Sequence, residues 1–144
     1  MTPHAVVNPP ELAPPVGFSH GVATRGGRVL WLAGQNGTDG AGRIKAPGDL
    51  VAQTDAALAN VLTVVRTAGG RPEHVVKLHL WVLDAAEYRA ARRGLAGVWR
   101  AHFGSYYPAM MLIGASGFYD ADALIEIDGF AVIPDDAPQS AGAT

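Results

Sequence analysis

Tyr107-Pro108-Ala109-Met110-Met111-Leu112, followed by the strand-like Leu124-Ile125-Glu126-Ile127-Asp128-Gly129-Phe130-Ala131-Val132, decides how this chain is read. The two blocks predict a pair of closing strands, Pro108 to Ile113 and Ala123 to Ile133. Upstream, Val75 to Leu83 predicts another strand, because Val76, Leu78, Leu80 and Val82 alternate with Lys77, His79, Trp81 and Leu83. Both of its faces carry apolar bulk, yet one also carries Lys77 and His79. A face of that kind is expected to be covered by another subunit rather than by the chain's own helices.

Two helices are expected between the strands. Asp49 is placed to cap the first, whose apolar positions Leu50, Ala57, Leu58, Val61, Leu62 and Val65 follow the helical period, with Gly69-Gly70 as its stop. Asp84 is placed to cap a second helix running to about Phe103, with Tyr88, Ala91, Leu95, Val98 and Trp99 inward. Its arginines (Arg89, Arg92, Arg93, Arg100) read as a solvated face. Gly17 to Thr24 and Arg28 to Ala33 predict two strands joined at the glycine turn Arg25-Gly26-Gly27, and the glycine-rich Asn36 to Gly48 reads as a loop. The order is ββαβαββ, an α+β architecture with a mixed sheet and two helices on one face. Residues 1–15 are expected to form an extended arm without regular pairing, since four prolines lie between Asn8 and Pro15. Residues 16–133 form one domain, and 134–144 are expected to be a disordered tail.

Composition narrows the function. At 144 residues the chain is one domain long. Charged residues make up 17%, below the usual ~25%, in keeping with surface buried between subunits. A net charge of −2 and the lack of a basic run give no footprint for nucleic acid. With no cysteine there is no disulfide, thiolate nucleophile or zinc-thiolate site. The first residues do not form a secretory signal, and no apolar run approaches the ~18 residues of a membrane span. A soluble, cytoplasmic protein without a membrane or nucleic-acid partner is expected. The five histidines lack the spacing of a metal site, and Gly114-Ala115-Ser116-Gly117 lacks that of a nucleophile elbow.

Ala33-Gly34-Gln35, Val75-Val76-Lys77, Pro108-Ala109 and Ile125-Glu126-Ile127, in this order, resemble the Rid (reactive intermediate deaminase) or YjgF family, from about Val16 to Val132. The resemblance implies chorismate-mutase-like subunits in a homotrimer, with a small-molecule site between subunits and no metal or organic cofactor. In the family's deaminases an arginine after Pro-Ala pairs with the carboxylate of a 2-imino acid. A glutamate on the last strand and a backbone carbonyl two residues past the arginine hold the attacking water. A glycine on the second strand and a tyrosine near the start of the first complete the pocket. Carried over by position, the glutamate is Glu126, the glycine Gly34 and the carbonyl that of Leu112. The arginine has become Met110 and the tyrosine Phe18. His20 stands where the family often has glutamine and reads as a scaffold residue.

The exchange at position 110 has one direction. A guanidinium grips a carboxylate through a two-pronged fork, each charge-assisted hydrogen bond contributing roughly 1.5–3 kcal/mol. Methionine offers soft apolar volume and neither charge nor donor. A pocket with Phe18 and Met110 is expected to reject a small anionic imino acid and to favour a neutral or apolar ligand, unless Arg43 on the flexible loop supplies a substitute cation. Asp128, on the same strand face as Glu126, is expected to pair with Lys77. The leading reading is a Rid-like hydrolase or deaminase of a small imine, enamine or related electrophile, with Glu126 catalytic. Two alternatives stay open: a trimeric small-molecule-binding or protein-protecting module without turnover, and the ribonuclease or translation-inhibitor activity of the family's older label.

Overall fold

The alternating pattern over residues 75–83 becomes the centre of a four-stranded sheet. In this computed structural model, which describes residues 1–137, strands β3 (Arg28–Gln35), β4 (Val75–Val82), β5 (Ala109–Gly114) and β6 (Ile125–Ile133) lie in the order β3-β6-β4-β5. The β4–β5 pair is parallel, and the other two pairs are antiparallel. The sheet is therefore mixed, as expected, with β3 and β5 at its edges. Residues 138–144 of the expected tail lie outside the described residues.

Helix α1 (Leu50–Thr67) starts where Asp49 accepts a hydrogen bond from the Ala52 amide and stops where Gly69 takes a φ of 83°. Leu58, Val61, Leu62 and Val65 are fully buried against Leu78, Val82, Ile125 and Ile127. The expected second helix is interrupted at Ala91 (φ −81°, ψ 1°), giving α2 (Ala85–Ala90), capped by Asp84, and α3 (Arg92–Phe103). Leu95, Trp99 and Phe103 then recur every four residues on the buried stripe of α3.

The N-terminal segment departs from expectation. Strand β1 (Ala5–Val7) pairs with β2 (Gly21–Ala23) in a separate two-stranded sheet, so the arm is not free of regular pairing. The prolines restrict only the stretch after Val7, and Ala-Val-Val before them is good strand sequence. Nor do the first two expected strands form a hairpin. Gly26 and Gly27, with φ of 64° and 86°, turn the chain so that β3 runs along β6 instead.

One glycine sets the register of the central pair. Gly129 has a φ of 155°, and any side chain there would run into the Lys77 carbonyl. Opposite it, the pairing slips between Val75 and Lys77, so Val75 and Val76 are both buried before the alternation begins. From Lys77 onward the odd-numbered residues of β4 face away from the helices. Among the described residues that face has no cover: Trp31 on β3 is 76% exposed, and Met111 and Ile113 are exposed on the opposite edge strand β5.

Candidate functional site between two sheet faces

Glu126 is the acid that the sequence singles out. It lies opposite Trp81 in the β4–β6 pairing, on the face without helices. Across the sheet, a Cβ on Gly34 would overlap the Glu126 carboxylate where it stands, so the glycine leaves that side chain its present position. The β3–β6 register slips between Leu32 and Gln35, which brings Gly34 to this place. The described residues offer the carboxylate no hydrogen bond or ion pair. Gly34, Trp81, Phe118, Glu126 and Asp128 line a cavity of about 280 Å³. Its far wall, the loop from Ala115 to Leu124, is fixed from inside the protein. Gln53, wholly buried, donates to the carbonyls of Ala46 (3.2 Å) and Asp122 (3.0 Å) and accepts from the Leu124 amide (2.8 Å).

Asp128 does not pair with Lys77. Its Oδ1 lies 2.5 Å from His79 Nδ1, and Trp81 Nε1 donates to its Oδ2 at 3.0 Å. The β4–β6 register sets His79 opposite Asp128, whereas Lys77 stands opposite Phe130. This group is not legible in the sequence, because alternation places the residues on one face without saying which meet.

Phe18, Met110 and Leu112 come together elsewhere. Met110 and Leu112 pair with Leu78 and Leu80, on the helix side of the sheet. With Phe18, Leu80 and Tyr88 they line a cavity of about 320 Å³ at the edge strand β5. Ser19 fixes Phe18 there: its amide donates to the Pro108 carbonyl at 3.0 Å and its hydroxyl to the Tyr107 carbonyl at 2.7 Å. Burial raises the Tyr88 hydroxyl above the usual tyrosine range. Within one chain, Phe18 and Met110 therefore stand apart from Glu126, since alternation along β4 puts residues 78 and 81 on opposite faces.

Arg43 supplies no substitute cation in either cavity; it reaches Asp39 at 3.4 Å on the exposed loop. His20 acts as scaffold: its ring Nε2 lies 2.9 Å from the Ala13 carbonyl and its amide donates to Asn8 Oδ1 at 2.8 Å. Among the described residues no three His, Cys, Asp or Glu side chains converge as a metal centre would require.

The sequence matches the endoribonuclease L-PSP family over residues 9–133. The chain belongs to this family, the Rid or YjgF family. A Rid-family protein of unknown function from Yersinia pestis is 34% identical, with a TM-score of 0.82 over 90% of this chain and 98% of that one. A 2-iminobutanoate/2-iminopropanoate deaminase from Dermatophagoides farinae is 24% identical over 92% of this chain and 99% of its own. A YjgF/YER057c/UK114 family member from Mycobacterium tuberculosis is 25% identical, with a TM-score of 0.60 over 82% of this chain and 88% of that one. The family match begins at residue 9, within the proline-rich segment.

Proposed function

We propose that the chain is a Rid-type hydrolase that deaminates a small imine, enamine or related electrophile, at a site completed by a neighbouring subunit. Glu126 carries the proposal. It is an acid with no structural partner among the described residues, held on a cavity wall beside a glycine whose lack of a side chain leaves the carboxylate its place. Acids in strands normally face solvent or satisfy a neighbour, and this one does neither fully. Glu126 orients a water and takes its proton as the oxygen attacks the C=N carbon. The same proton then goes to the nitrogen, giving the carbinolamine; Glu126 next takes the hydroxyl proton and passes it to the amine as the C–N bond breaks, leaving a carbonyl and ammonia. Gly34 lets the ligand approach the backbone. Phe18 and Met110 shape the apolar side, and the Leu112 carbonyl helps to hold the water. These last three come from the other cavity, which in this reading belongs to the adjacent subunit. A standard 2-imino acid is a poor substrate, because its carboxylate would meet Met110.

The methionine also supports a second reading, a binding module without turnover. Ammonia release from a panel of imines formed in situ separates the two. Glu126→Gln is expected to lower turnover by roughly 10²–10⁴ with assembly and melting unchanged. Full activity in that variant removes Glu126 from the chemistry. Ligand binding without turnover anywhere in the panel selects the binding module.

A further inference from the structure

The apolar cavity around Met110 adjoins a larger groove. This groove, about 780 Å³, shares Val16, Gly17 and Tyr88 with the smaller cavity, so the two lie side by side along the arm and α2. Its floor is apolar and aromatic: Leu95 and Trp99 are 2% and 5% exposed, and Tyr107 lies beside them. Its rim is cationic. Arg92 and Arg93 line it, and among the described residues neither has an ion-pair or hydrogen-bond partner. The sequence suggests that both are merely solvated. Both are exposed, and both also line the groove.

We propose that the adjoining cavities bind a monocarboxylate in which an apolar, preferably aromatic, body separates the acid from the far end of the molecule. The body lies over Trp99 and Tyr88, its far end enters the Phe18–Met110 cavity, and the carboxylate meets Arg92 and Arg93. Each part follows from the walls. Aromatic surfaces favour a flat apolar ligand. Guanidinium groups match the two oxygens of a carboxylate better than a point cation would. A small 2-imino acid carries its carboxylate one bond from the reacting carbon, at Met110, and gains nothing from the arginines. A longer ligand separates reacting end from charge and meets both. The binding claim stands without turnover; as a description of substrate class it rests on the reaction proposed above.

Trp99 lies under the groove, and because Trp31 and Trp81 also contribute to the fluorescence, calorimetry supplies the affinity. Titrating the intact protein with 4-phenylbutyrate, 4-phenylbutyramide and pyruvate, followed by tryptophan fluorescence and calorimetry, tests the assignment. Expected is a preference for 4-phenylbutyrate over its amide of about two- to fivefold, as fits an exposed ion pair. That preference should shrink with added salt and vanish in Arg92→Gln/Arg93→Gln. Pyruvate should bind far more weakly. Met110→Trp, which fills the apolar end, should weaken acid and amide alike. Equal binding of acid and amide, unchanged preference in the arginine variant, or no binding at millimolar ligand would each overturn the proposal. Failure of the hydrolase reading looks different: Glu126→Gln would leave turnover untouched while the acid-over-amide preference persisted.

Discussion

Methionine at position 110 is half-buried on the helix side of edge strand β5, with Phe18 beside it and no cation in the cavity they share. A small carboxylate placed there would lose its water without gaining a partner. Met110→Arg should therefore create affinity for pyruvate, about tenfold or more over the wild type and absent for pyruvamide, as calorimetry would measure. Recovery should be incomplete because Phe18 has no hydroxyl. A folded variant that binds pyruvate no better than the wild type would show that position 110 does not face the ligand's acid. The individual site residues are legible because sequence blocks give positions along strands. Their separation onto two faces, and the His79–Asp128–Trp81 group, depend on how β4, β5 and β6 align, which no single strand's pattern contains.

Among the elements, the helices and the central strand are legible because each carries its own signal, a cap with a period or a clean alternation. The failures lie where pairing depends on distant residues. β2 pairs with β1 rather than with β3, and the only local hint is the glycine pair that turns the chain away. Gly129 carries a similar hidden demand inside β6. Gly129→Ala forces a Cβ into the Lys77 carbonyl at a φ unsuited to alanine, and should cost about 2–4 kcal/mol. The urea midpoint would fall with little change in slope. A methyl added at Gly97 in α3 would meet nothing within 4 Å, so Gly97→Ala should instead stabilise by about 0.5–1 kcal/mol. A neutral Gly129→Ala would mean that the β4–β6 bulge relaxes readily and does not pin the register.

The whole molecule poses the question of what covers the second sheet face. Helices lie on one side only; on the other, Val29 is 51% and Trp31 76% exposed, alongside Phe130, Met111 and Ile113. Apolar side chains exposed at both edges of one sheet face mark an interaction site. The polar residues on it do not argue for solvent, since Asp128 is already bonded to His79 and Trp81. In the proposed reading copies of the same chain cover this face, since Glu126 and Gly34 lie on one face and Phe18 and Met110 at the β5 edge of the other. The family resemblance implies three copies. Light scattering at micromolar concentration should then give three times the 15.0 kDa chain mass. Trp31→Glu, which puts a charge in the covered face, should shift the protein towards monomer while circular dichroism keeps its helix and sheet signals. Turnover should fall with the trimer fraction, although residue 31 lines neither cavity. A wild-type protein that stays monomeric and active would rule out a shared site, since one subunit would then have to bring both faces of its own sheet to one substrate.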